Sequence, residues 1–167
     1  MMNLTREDLI QSDATMNQMR NMVYHLVRFM KINGISATRE SLRKMGRNIA
    51  LTYLQYWKPI EQVTKANLTS VITTIYKKIL NSSVSVELDE INNIVIVKDN
   101  DCSLCKYQFN DIDVAGCEVI VGMISEMISQ INKENPIIVL QPRDIIESRT
   151  FGHKACVQSF KYKEGGV

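Results

Sequence analysis

Cysteine is missing from the first 101 residues of this 167-residue chain, and histidine occurs only at His25 and His153. Two isolated histidines leave little room for imidazole-based acid–base or nucleophilic chemistry, and His25 sits among polar neighbours on a helical face where solvation accounts for it. Gly-rich phosphate loops, Gly-x-Ser-x-Gly and His-Glu-x-x-His are also absent, which removes the common signs of nucleotide binding, serine hydrolysis and zinc proteolysis. Charge of one sign is lacking too: 20 Lys and Arg stand against 18 Asp and Glu, a net charge of +2, and the basic residues are scattered. Such a chain has no positive stripe with which to grip a phosphate backbone, so no nucleic-acid partner is expected. The longest apolar stretches, Val119 to Ile124 and Ile137 to Leu140, fall far short of the ~20 residues that cross a bilayer. Asn3, Arg6, Glu7 and Asp8 are not followed by an apolar segment behind a basic start, so no secretory signal is expected and a cytoplasmic, reducing setting is.

What is present suits one domain with a full core. Residues 1–13 are expected to be a flexible N-terminus and 14–167 a single domain. Met16, Met19, Met22, Val23, Leu26, Val27 and Met30 recur at helical spacing, with Phe29 widening the apolar arc. Asn33-Gly34 ends this helix. A second is expected over about Arg39 to Trp57, with Leu42, Met45, Gly46, Ile49, Ala50, Tyr53, Leu54 and Trp57 on one side and Leu51 nearly opposite. Both arcs exceed what one core-facing stripe requires, which predicts burial on two sides and a helix-mediated dimer through Met22, Leu26, Phe29 and Leu51. Pro59 suits the first turn of a third helix, whose buried face is Val71, Ile72, Ile75, Tyr76, Ile79 and Leu80.

The period then changes to two. Val84, Val86 and Leu88 alternate with polar residues, a turn follows at Asp89 to Asn93, and Ile94 to Val97 return as the second strand of a hairpin. Asn110 or Asp111 is a candidate cap for a central helix running to about Asn132, in which Cys117, Ile120, Val121, Ile124, Met127 and Ile128 cover most of the circumference. Ile137 to Leu140, and the alternating Cys156, Gln158, Phe160 and Tyr162, complete the strands.

The chemistry on offer lies in the four cysteines. Cys102 and Cys105 have the spacing of a zinc knuckle, and Cys156 or His153 at a strand start is a candidate to close a tetrahedron. Cys117, in the middle of an apolar arc, is expected to be a core thiol. A redox pair needs the Cys-x-x-Cys at a helix N-terminus, and Lys106 to Phe109 intervene. Asp99, Asp101, Asp111 and Asp113 lack the ligand order and glycine of a calcium loop, and turn or capping roles suffice for them. Metal clamp, dithiol and plain core thiols all remain open on these residues alone.

Three segments carry a resemblance. Leu42-Arg-Lys-Met-Gly-Arg-Asn-Ile-Ala-Leu51 resembles the Met-Gly-x-Asn-Ile-Gly helix of the small subunits of the transport protein particle, TRAPP, which tethers vesicles. Ile94 to Asp101 resembles that family's strand and following loop, and Ala115 to Ile124 its Cys-Gly-x-x-x-Gly helix. The resemblance spans about Met16 to Tyr162. Gly152-His-Lys-Ala-Cys156 with Phe160 is similar to the 4-vinyl reductase domain of the same superfamily, a small-molecule sensor module, and the Cys-x-x-Cys is similar to archaeal members. The resemblance implies an α+β fold in which a twisted antiparallel four-stranded sheet packs against a helical layer. It also implies a non-enzymatic dimeric scaffold, pairing with itself or a related subunit, in an assembly that can be peripheral to membranes. The alternative it implies is a sensor holding an apolar ligand against Tyr53, Trp57, Val121 and Met123, with zinc on Cys102, Cys105 and Cys156. Two departures matter. Trp57 to Ala66 contains no cysteine where the acylated family member has one, so covalent acylation is not implied, and Glu118 stands where the family helix has its first glycine, with Gly122 retained.

Overall fold

The change of period from helical to alternating falls where the chain passes from helices into a sheet in the computed structural model, which describes residues 5–57 and 61–165. Helix α1 spans Arg6–Ile32, beginning well before Met16, and buries Val23, Tyr24, Val27 and Met30 on its inner side. Helix α2 spans Thr38–Tyr53 and buries Leu42, Gly46 and Ala50. Helix α3, Leu68–Ile75, runs on into a π-helical turn over Tyr76–Leu80 and stops where Asn81 takes a left-handed φ of 50°. Strands β1 (Val84–Asp89) and β2 (Ile94–Asp99) form the expected hairpin. After a long irregular segment come α4 (Glu118–Ile131), β3 (Ile138–Glu147), a short 3-10 turn at Arg149–Phe151 and β4 (Cys156–Glu164).

The sheet has the order β1-β2-β4-β3 and every neighbouring pair is antiparallel. β3 extends well past Leu140, with register shifts after Pro142, a residue that cannot donate to a ladder. Helix α4 packs against β3 on one side and α2 on the other, so it is buried over nearly all its surface. This is the α+β layer arrangement expected.

Further boundaries differ from expectation: α2 ends at Tyr53, short of Trp57. Pro59 lies outside the described residues, and α3 begins only at Leu68. The stretch before it is held by side chains: Asn132 bonds both the N–H (2.9 Å) and the C=O (2.8 Å) of buried Val63. The helix expected from Asn110 or Asp111 begins instead at Glu118. Asp111 does not cap it, because its carboxylate pairs with Arg28 and its carbonyl accepts from Lys31 Nζ at 2.7 Å, tying this segment to α1.

The α2–α4 crossing is unusually close. A Cβ on Gly46 would meet the Val119 carbonyl oxygen at 1.9 Å, and one on Gly122 would meet that of Arg43 at 2.1 Å. Beside this contact the buried Glu118 receives Arg43 Nε at 2.7 Å and the more exposed Arg39 Nε at 3.0 Å. The residue that departs from the family helix is thus used as a buried ionic anchor. Arg43→Ala leaves that carboxylate only the more exposed Arg39, and a loss of about 3 kcal/mol, the lower end for breaking a buried pair, is expected in urea unfolding. Adding Glu118→Gln should recover part of it, because the half-paired buried charge is then gone.

Candidate functional site

The loop between β2 and α4 and the start of β4 meet because Asp99, the last residue of β2, lies opposite Cys156 in the ladder. Cys102 follows three residues later, and the Cys105 N–H donates to the Cys102 carbonyl (3.1 Å), folding the pair into a turn. The Sγ atoms of Cys102, Cys105 and Cys156 lie within 4.8 Å of one another. All four cysteines are buried and free. Cys117 departs from expectation: with α4 starting at Glu118 it occupies the N-cap position rather than the middle of the helix. That places it against the other thiols, and each of Cys102, Cys105 and Cys117 interacts with the remaining three sulfurs.

Polar donors surround the cluster. Ser148 Oγ lies 3.6 Å from Cys105 Sγ, 3.8 Å from Cys156 Sγ and 4.0 Å from Cys117 Sγ. The Arg149 N–H donates to Cys156 Sγ at 3.4 Å. The buried Tyr24 hydroxyl sits 3.6 Å from Cys105 Sγ and donates to the Leu104 carbonyl at 2.8 Å. Hydrogen bonding from Cys102, then from Cys117 and Cys156, holds the Cys105 thiol well below its ordinary pKa. Its neighbours are pushed the other way: Cys102 by its bond to Cys105 and Cys117 by its bond to Cys102. Desolvation raises Tyr24, which therefore stays protonated as a donor. A compact, soft, buried sulfur set suits a zinc ion. Ser148, Arg149 and Tyr24 were not singled out in the sequence; they contact the sulfurs only through the fold.

His153 does not join the thiols. Its Nδ1 lies 3.1 Å from the Ser148 carbonyl oxygen and 3.4 Å from the Ser148 nitrogen.

The second candidate region is the outer side of the two long helices. Met22 is 72% exposed, Phe29 60%, Ile32 83% and Leu51 44%. Leu26 is half-buried and packs on the core. Of the residues expected to line a ligand, Val121 and Met123 are buried in α4, Tyr53 is partly exposed at the end of α2 and Trp57 is half-buried just beyond it. No described helix is long and apolar enough to cross a membrane.

A four-stranded antiparallel sheet, a buried central helix and a helical layer give this chain a TRAPP small-subunit-like fold. In particular, the chain is similar to the crystal structure of a trafficking protein particle complex subunit 3 from Naegleria fowleri covalently bound to palmitic acid. The TM-score is 0.64 at 12% sequence identity, covering 90% of this chain and 96% of that one. No protein-family model matches the chain, and no curated protein sequence does.

Proposed function

We propose that this chain is a non-catalytic interaction subunit of the TRAPP-like kind, which pairs with a second copy of itself through the outer faces of α1 and α2 and so offers a composite surface to further partners. The observation that carries this reading is the group of large apolar side chains left in water: Met22, Phe29 and Ile32 on α1 and Leu51 on α2. Their inner-face neighbours Val23, Val27 and Ala50 already fill the core, so these side chains are surplus to the fold of one chain. Similarity in fold to a trafficking-particle subunit supports an assembly role and a cytoplasmic setting, with any membrane contact peripheral.

Phe29→Asp and Leu51→Asp should each weaken pairing at least about 30-fold, the effect of removing a central apolar anchor. Light scattering on each variant, with circular dichroism to show that the helices persist, checks this. Variants that pair as tightly as wild type would overturn the assigned face.

The palmitate of the similar structure does not transfer as a covalent group. A thioester needs an accessible thiol, and every cysteine here is buried behind the sheet and loop. The thiols take a structural part instead: Cys102, Cys105 and Cys156 hold a zinc ion, whose loss a chelator would reveal.

A further inference from the structure

We infer that Cys117 is the fourth ligand of that zinc ion, making a closed tetrathiolate centre, and that this centre is the seat on which α1 docks. The inference rests on the three-cysteine zinc reading above and adds to it. A structural zinc takes four ligands in a tetrahedron. Cys102, Cys105 and Cys156 supply three, mutually within 4.8 Å. Ser148 Oγ is within 4.0 Å of the sulfurs of Cys105, Cys156 and Cys117 alike, so Cys117 borders the three-sulfur group, just outside its 4.8 Å limit, and would close onto it as the metal binds.

The other possible fourth donors, His153 and Asp99, fit less well. His153 is turned to the backbone of Ser148. One oxygen of Asp99 accepts from Ser82 Oγ (2.6 Å) and from the Asp101 N–H (3.0 Å); the other is buried without a hydrogen-bond partner, but as a hard oxygen it ranks below a thiolate beside three sulfurs. Burial of all four cysteines leaves no open position of the kind a catalytic zinc keeps for water.

Four thiolates around a divalent ion carry a net charge of −2, which a buried site must offset. The N-terminus of α4, directly after Cys117, presents its positive end there. The Arg149 N–H and the Ser148 and Tyr24 hydroxyls lie against the other sulfurs. These outer contacts orient the ligands as a second layer does in zinc sites generally.

The consequence lies in residues 100–117, a long stretch without regular structure that nevertheless buries Leu104 and Ile112. Such a stretch needs something to hold it. The metal would tie it at two points to the starts of α4 and β4. Helix α1 in turn is bonded to this stretch: Arg20 Nε donates to the Ser103 carbonyl (2.5 Å), Tyr24 to that of Leu104 and Lys31 to that of Asp111, while the Tyr24 hydroxyl also lies 2.6 Å from Thr150 Oγ1. Zinc thus fixes the platform under the helix that carries the pairing face.

The test is X-ray absorption of the zinc-loaded full chain together with its metal content. One zinc per chain with four sulfurs at about 2.3 Å is expected. Cys117→Ser should then show three sulfurs and one lighter atom and bind zinc at least tenfold more weakly. One zinc with three sulfurs in wild type would overturn Cys117 as ligand and leave the three-cysteine site standing. A chain that takes up no zinc after dialysis against it would overturn both. The wild-type spectrum decides even where the variant fails to fold.

Discussion

Gly46→Ala is expected to destabilise the domain by about 3 kcal/mol or more, at the upper end of what overpacking costs. The new Cβ would lie 1.9 Å from the Val119 carbonyl oxygen and 2.7 Å from the Met123 nitrogen, both backbone atoms of a helix buried on all sides. No side-chain rotation relieves the clash; α2 and α4 must move apart, opening the contact that Leu42 and Ala50 share with α4. Intrinsic helix propensity would by itself favour alanine by about 1 kcal/mol, so the sign of the change separates the two effects. Gly122→Ala, which meets the Arg43 carbonyl from the other helix at 2.1 Å, should cost a similar amount. Because both report one crossing, the double variant should cost less than the sum. Urea unfolding measures all three. A change below 1 kcal/mol for Gly46→Ala would mean that the crossing is looser than described.

The second large effect is zinc withdrawal. A ligand at a thousandfold excess over its dissociation constant stabilises the folded state by about 4 kcal/mol, and in a domain of this size each kcal/mol moves the thermal midpoint roughly 2–4 °C. Chelation is therefore expected to lower the midpoint by roughly 8–16 °C, and readdition of zinc to restore it. The change should not be spread evenly. Amides of α1 and of residues 100–117 should lose protection first, since Arg20, Tyr24 and Lys31 fasten α1 to the segment the proposed metal would hold. The α2–α4 contact, closed by Gly46, Gly122 and the Glu118–Arg43 pair, should keep its protection longest. A midpoint unmoved by chelation, in protein shown to have lost its metal, would mean that the thiols are packing residues only.

Much of this architecture was legible because periodicity reports burial. The alternation in Val84 to Leu88 and Ile94 to Val97 marked the hairpin, and the apolar circumference of Ile120 to Ile128 marked the central helix. The wide arcs predicted a second buried face at Met22, Leu26, Phe29 and Leu51; in the single chain Met22, Phe29 and Leu51 are exposed, while Leu26 packs on the core. What was not legible depended on contacts between distant segments. Asp111 has the chemistry of a helix cap, yet Arg28 and Lys31, more than 75 residues earlier, take it for α1. With that cap lost the helix starts at Glu118, and Cys117 moves from the interior of an apolar arc to the edge of the thiol cluster. The Cys-x-x-Cys spacing left clamp, dithiol and core thiols open, because its neighbours are fixed by the Asp99–Cys156 register of a sheet, which no local spacing encodes. Ser148 carried no signal at all, since its role arises only where the end of β3 passes the sulfurs.

The claim that organises these observations is that the exposed apolar side of α1 and α2 is covered by a second copy of the chain. Sedimentation equilibrium of the zinc-loaded wild type, over a range of micromolar concentrations, tests it most directly. A mass of twice the 19.1 kDa of the single chain is expected, falling to the single value for Phe29→Asp. A wild-type chain that sediments as a monomer throughout that range would contradict the pairing.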